Sequence, residues 1–298
     1  MDTKTKTYDR TTEDLGNLVH LEHVNILQPD QRPTTLFYVV ALGGTRDPYV
    51  MVGLDNMWVN YGRTQMHMPS RDPQPQVLRG TIGFVVPDVD AVKARMKRVA
   101  AALAGTRFAW QDCGKTVEAT CPWGNRVRCH PPAPEYGDGT QLGMVYIDYD
   151  APAGSADGIA RFYSEIMGAP AKLVSGSPGG AGKRAARVQV GRGQALYFSE
   201  TDQPIPPYDG HHMEIYINDF SGPYRKLLER DLITMETDSH EWRFQKIVDP
   251  ATGKLLFEVE HEIRSLKHPL YARPLVNRNP SQTNTAYLRG QDSFPGIY

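Results

Sequence analysis

The 298-residue sequence predicts an α+β protein built from two tandem copies of one architecture, and three observations carry that expectation. Phe37-Tyr38-Val39-Val40-Ala41-Leu42-Gly43 returns 125 residues later as Phe162-Tyr163-Ser164-Glu165-Ile166-Met167-Gly168. TIGFVVPD at 81–88 is answered by HMEIYIND at 212–219. The turn Pro122-Trp123-Gly124 ahead of RVRC is answered by Pro250-Ala251-Thr252-Gly253 ahead of LLFEV. Matched landmarks in one order mark a duplicated structural unit.

The first copy opens with a strand over 19–27. A helix begins near Asp30, a good N-cap, with Pro33 in its first turn and Gly43 at its C-cap. Short β-like runs follow at 49–54, 58–61 and 64–68, then a polar, Pro-rich joint at 69–75. Residues 80–86 read as a strand, and Asp88 caps a helix in which Val92, Met96, Val99 and Leu103 recur at helical spacing. Strands at 109–111, 116–120 and 126–129 close the copy, so that strand, helix and three strands occur twice within one domain length. After a linker at 131–139 the same order runs from 143 to 259. Its helices cover 155–167, ending at Gly168, and a stretch after Ser221 that carries Tyr224, Leu227 and Leu228. The Gly-rich stretch 175–182 reads as a hairpin tip, since it lacks the Gly-Lys-Ser/Thr ending of a phosphate loop. The expected domains are therefore 15–132 and 140–262. Residues 263–298, polar and without period, form an arm that packs on the body or joins a homo-oligomer.

Bulk composition excludes several function classes. Lys plus Arg number 33 against 34 Asp plus Glu, which provides no field for nucleic acid or an anionic membrane. No apolar run reaches spanning length, and MDTKTKTYDR has no signal-peptide pattern, so a cytoplasmic location is expected. Three cysteines argue against a disulfide scaffold. Cys113, Cys121 and Cys129 lie eight apart with His130 following, but these intervals match no short zinc-ligand pair, and free thiols are expected.

The paired strand-helix-three-strand pattern, the helix ending FYxxx[LM]G, the strand-then-Asp element and the Pro-and-Gly turn before the last strand resemble the vicinal oxygen chelate (VOC) superfamily. Glyoxalases, bleomycin resistance proteins and extradiol dioxygenases are among its members. The likeness runs from about Leu15 to Glu262. It implies two VOC domains, each built from paired βαβββ modules, with a curved mixed sheet that packs helices on one face and encloses a pocket on the other.

Strand alternation sorts residues between those faces. In HMEIYIND the apolar set is Met213, Ile215 and Ile217, leaving His212, Glu214, Tyr216 and Asn218 toward the pocket. In LLFEVE, Leu255, Phe257 and Val259 leave Glu258 and Glu260. Tyr146 and Asp148 are set inward on the 143–150 strand, and Tyr197 on the 194–199 strand. In the first copy, His23, Asn25, His67 and Arg128 face inward.

The superfamily typically uses two His and one Glu, taken from the first strand of each half and the last strand of one. By position the resemblance implies His212 and Glu258 as metal ligands in the second domain. The remaining His site falls on Met144 or Gly143, leaving Glu214, Tyr146 or His268 as candidate third ligands. Fe(II) or Mn(II), with Zn(II) as a further option, suits such a set. An ion pair between His212 and Glu258 in a polar pocket is the alternative. His23 occupies a family ligand position in the first domain, but Arg128 cannot ligate a metal. His23, His67 and Arg128 therefore suggest an anion or substrate site.

The resulting expectation is a metalloenzyme, extradiol-dioxygenase-like or glyoxalase-like, acting on a small oxygenated and possibly aromatic molecule. Glu214 would be the base, and Tyr146, Tyr197 and Tyr216 hydrogen-bond donors to a developing oxyanion. The alternative is a metal-free protein, either a small-molecule binding module or a lyase or isomerase that uses Glu214 and His212 directly.

Overall fold

In the computed structural model, which describes residues 9–47, 55–137, 139–273 and 275, the strand-helix-three-strand unit occurs four times. The first unit contains β1 (Leu18–Asn25), α1 (Gln31–Thr35, continuing as a π-helix over Leu36–Ala41), β2 (Thr45–Arg46), β3 (Asn56–Tyr61) and β4 (Thr64–Pro69). The second contains β5 (Gly80–Val85), α2 (Val89–Val99), β6 (Ala109–Asp112), β7 (Val117–Thr120) and β8 (Arg126–His130). The third contains β9 (Gly143–Pro152), α3 (Ala156–Arg161, continuing as a π-helix over Phe162–Ile166), β10 (Ala171–Ser177), β11 (Gly180–Gly191) and β12 (Gln194–Thr201). The fourth contains β13 (His212–Ile217), α4 (Ser221–Leu228), β14 (Ile233–Glu236), β15 (Glu241–Val248) and β16 (Leu255–Ser265). The strand expected at 49–54 and the distal arm from 276 onward lie outside the described residues.

Local sequence accounts for the helix ends. Asp30 accepts a hydrogen bond from Arg32 N at 2.8 Å and Asp88 from Ala91 N at 2.9 Å, each satisfying a first-turn amide that has no partner inside the helix. The two copies of FYxxx[LM]G close in the same way: both enter a π-helix, and Gly43 (φ 84°) and Gly168 (φ 69°) end them in the left-handed region that a side chain disfavours.

Two eight-stranded mixed sheets result, in the orders β14-β15-β16-β13-β1-β4-β3-β2 and β10-β11-β12-β9-β5-β8-β7-β6. The sheets do not divide the chain at 132–140. The first joins residues 18–69 to 212–265, and the second joins residues 80–130 to 143–201. The physical reason is that each unit leaves one edge of its first strand open, and an open edge needs a partner. Four equivalent edges can be joined in more than one way, and a sequence repeat does not distinguish them. Here β1 runs antiparallel to β13, and β5 to β9.

The faces follow the predicted alternation. Met213, Ile215, Ile217, Phe257 and Val259 are buried in a core shared by both sheets, where the Tyr149 ring packs 5.5 Å from that of Phe257. Gln194 on β12, also buried, bonds both Leu21 N (3.1 Å) and Leu21 O (2.8 Å) as well as Met144 O (3.0 Å), tying the two sheets together through backbone groups. Cys113 is exposed, Cys121 and Cys129 are buried, and all three are free. No helix among the described residues is long and apolar enough to cross a membrane. The first three residues of the expected arm belong to β16. The chain then folds over the open face of the first sheet, where Tyr271 meets Tyr216 edge-on at 4.9 Å and Arg273 Nη2 lies 2.7 Å from Asp47 Oδ2.

Candidate metal centre

On β1, Leu21 pairs with Ile215 and His23 with Glu214, so Glu22 is one extra residue on that strand. A bulge of this kind breaks alternation, and it lets Glu22 and His23 both reach the open face. Across the β1–β13 pair, Glu214 Oε2 lies 3.8 Å from His23 Nδ1, and Glu22 Oε2 lies 3.2 Å from the same nitrogen. β16 runs parallel to β13, pairing His212 with Glu260 and Glu214 with Glu262. His212 Nε2 is 3.1 Å from Glu262 Oε2, and His212 Nδ1 is 3.5 Å from Glu260 Oε1.

Donor atoms of His23, His212 and Glu262 all lie within 4.8 Å of one another, and the same holds for Glu22, His23 and Glu214. His23 Nε2 and both carboxylate oxygens of Glu214 are buried without a hydrogen-bond partner among the described residues. Burial lowers the His23 pKa, opposed in part by Glu22, which favours the neutral imidazole that ligates metals. Burial and then the neighbouring Glu22 push Glu214 well above the ordinary carboxylate range. Burial also works against ionised Glu262, but the His212 contact and the charges of His23 and Arg264 prevail and hold it well below that range. Arg264 Nη2 lies 2.5 Å from Glu262 Oε1, and Arg243 Nη2 lies 2.7 Å from Glu262 Oε2. Arg243 also contacts Glu241 and Glu260, and Arg264 contacts Glu22 and Glu241, so four carboxylates (Glu22, Glu241, Glu260, Glu262) share two guanidiniums. Two imidazoles, a carboxylate, unpartnered buried donor atoms and an excess of negative charge fit a divalent cation.

His67 stands beside this group but is already committed. Asn25 Nδ2 donates to its Nδ1 at 2.6 Å, and its Nε2 donates to Asn56 Oδ1 at 2.6 Å. Its ring stacks on Trp58 at 3.8 Å, and burial, then His23 and His212, push its pKa down to about 2. His67 therefore braces the wall of the site as a neutral imidazole.

Several sequence-based assignments change. Glu258 faces the expected side of β16 but lies four residues before Glu262 and pairs across the sheet with Lys246. His23 and His212 form one site because β1 and β13 are neighbours, so the two-pocket division of these histidines does not hold. Met144 lies on the second sheet, and the imidazole beside His212 is that of His23, with ring centroids 6.0 Å apart. Tyr146 and Tyr197 lie on the second sheet, away from His212, and Arg128 is there too, bound to Glu118 and to Pro178 O. His268 lies at the rim, its ring 6.3 Å from that of Tyr216. Glu214 lies opposite both His23 and Glu262, Tyr216 follows two residues on along β13, and the Tyr216 hydroxyl is buried without a partner among the described residues. Glu22, Glu262, Arg243 and Arg264 were missed. The one signal that pointed to Glu262 is that apolar alternation in LLFEVEHEI continues to Ile263, setting Glu258, Glu260 and Glu262 alike toward the pocket.

Solved structures share this architecture at low sequence identity. A proposed dioxygenase of Bacillus subtilis matches with a TM-score of 0.54 at 12% identity, covering 84% of this chain and 85% of its own. Glyoxalase I from Zea mays matches at 0.55 and 13% identity, and a point mutant of that enzyme at 0.56 and 13%, each covering 83% of this chain and 92% of its own. No family model matches the sequence, and no curated protein does. The two-sheet fold is thus shared with these dioxygenase and glyoxalase I structures.

Proposed function

We propose that the chain is a metal-dependent enzyme of VOC fold that acts on a small oxygenated molecule bound on the open face of the first sheet. The observation that carries this reading is the convergence of His23, His212 and Glu262 beside a buried, unpartnered Glu214. These three residues would hold a divalent cation, Fe(II), Mn(II) or Zn(II), which supplies Lewis acidity toward substrate oxygens when bound. Arg243 and Arg264 fix the orientation of the Glu262 carboxylate. Glu214, with its raised affinity for a proton, would accept one from an acidic position of the substrate as the ionised carboxylate and, as the neutral acid, return it to the product. The unpartnered Tyr216 hydroxyl donates a hydrogen bond to oxygen that gains negative charge. Trp58 and the neutral His67 close one wall and limit water. The fold supports both dioxygenase-like and glyoxalase-like chemistry, since a fold alone does not choose between them.

The two guanidiniums on Glu262 favour a second reading, in which that carboxylate is satisfied without a cation and Glu214 and His212 act directly in a metal-free lyase, isomerase or binding protein. Elemental analysis decides between them. Protein purified without chelators or a histidine tag is expected to carry close to one equivalent of transition metal, lost on His212→Ala with the fold retained by circular dichroism. A metal-free wild type that takes up no Fe(II), Mn(II) or Zn(II) in equilibrium dialysis would remove the first reading.

A further inference from the structure

The second sheet repeats the strand order of the first with different side chains on its open face. Where Glu214 stands beside Glu262 in the first sheet, Gly83 stands beside Arg128 in the second, so the carboxylate pair that attracts a cation is replaced. Gly83 also makes room, because a Cβ there would come within 2.1 Å of the Tyr146 ring. Tyr146 lies over that space with its hydroxyl 2.8 Å from His130 Nε2, while the Tyr136 hydroxyl is 3.2 Å from His130 Nδ1. Next to this chain of groups is a cavity of about 330 Å³, which Tyr197 and Arg187 also line.

Hydrogen counting shows what the cavity offers. Burial, then Arg128, lowers the His130 pKa to about 4, so its ring is neutral near pH 7 and carries one N–H. Two phenols and one imidazole N–H supply three hydrogens, and the two contacts to His130 use two of them. Whichever tautomer forms, one phenolic hydrogen is left to donate outward. Arg187 is half-buried on β11 directly opposite Tyr197 and takes no part in the ion pairs of the described residues. Glu135 also lines the cavity, but it is exposed and its charge is screened by solvent. The Tyr146 and Tyr197 rings stand perpendicular with centroids 6.0 Å apart, forming an aromatic corner.

We propose that this cavity is a second, metal-independent binding site for a small aromatic carboxylate. The ring rests in the corner of Tyr146 and Tyr197, and the carboxylate takes hydrogen bonds from Arg187 and from the outward phenol of the Tyr136–His130–Tyr146 chain. Both donors serve an anion, and no ion is required to hold it.

Calorimetric titration of the full chain with benzoate, and with benzamide as a ring of the same size without the charge, tests this. Saturable one-to-one binding of benzoate is expected, with benzamide weaker by at least about tenfold. Arg187→Gln is expected to weaken benzoate by a similar factor, and Tyr197→Ala by severalfold, with unchanged circular dichroism. His212→Ala is expected to leave benzoate affinity as in the wild type, which separates this site from the metal centre. Equal binding of benzoate and benzamide, or no benzoate binding by about 10 mM, would overturn the proposal. So would benzoate binding that survives Arg187→Gln and disappears in His212→Ala.

Discussion

Replacing Glu262 with Gln, alongside Glu258→Gln, tests the site most directly, because the two glutamates share a strand face and differ only in position along it. The Glu262 side chain is 2% exposed and lies 2.5 Å from Arg264, 2.7 Å from Arg243 and 3.1 Å from His212. At about 3 Å and an effective dielectric near 20, each guanidinium contact represents roughly 5 kcal/mol of attraction before desolvation is counted. Arg243 keeps Glu241 and Glu260, and Arg264 keeps Glu22 within 3.6 Å, so neither is left unpaired. The expected net loss is therefore about 3 kcal/mol, the low end for removing one member of a buried pair. Glu258 is half-buried and about 13 Å away along the strand, at roughly 3.3 Å per residue, so Glu258→Gln should cost less than about 0.5 kcal/mol. Urea denaturation at pH 7 measures both losses, and elemental analysis of the same samples measures bound metal. Glu262→Gln is expected to lose the metal and Glu258→Gln to keep it. Glu262→Asp, which preserves the charge but draws it back, should recover most of the stability without restoring the metal. If Glu258→Gln strips the metal while Glu262→Gln retains it, the assignment of the site from strand register is wrong.

Three further outcomes follow from the same geometry. His23→Ala should reduce bound metal to less than about a tenth of the wild-type level, since His23 is one of only two imidazoles in the set; elemental analysis showing wild-type content would count against the shared site. His130, pushed to about 4 by burial and then Arg128, takes up a proton near pH 6.5 once unfolded, so its contribution to stability is lost as pH falls from 6.5 toward 4. Between pH 7 and pH 5 this amounts to about 1 to 2 kcal/mol, and urea denaturation of His130→Gln should lack that part of the wild-type pH dependence. Gly83→Ala should cost about 1 to 3 kcal/mol, because the new Cβ meets the Tyr146 ring at 2.1 Å; a change below about 0.5 kcal/mol would show that the ring moves freely.

Features with a local cause were legible in the sequence. The Asp caps, the glycines that end the two FY helices and the period-two alternation of β13 and β16 each depend on residues a few positions apart, and all appear as expected. What depended on non-local pairing was not. Nothing in LEHVNIL states that it will lie against HMEIYIND and not against TIGFVVPD, so His23 was assigned to a pocket of its own. The acid along β16 could not be chosen either, because Glu258, Glu260 and Glu262 satisfy the same alternation, and only the register with β13 selects among them. The bulge at Glu22 left no mark in composition, since a single extra residue looks like any other until its partner strand is known.

The joining of the first unit to the fourth also constrains how the protein is made. The second sheet draws on one contiguous stretch, residues 80–201, and can close as soon as that stretch has left the ribosome. The first sheet cannot. During synthesis β1 waits with its edge unpaired until β13 and β16 emerge, and the cost of bringing such distant segments together must be met before their contacts form. On the metal centre proposed above, any chain interrupted before residue 262 lacks one of the three ligands, and a nascent or prematurely ended product could not complete it. Completion of the polypeptide would thus act as a licence for the proposed centre, and the exposed edge of β1 in the interval is the place where a chaperone has most to protect.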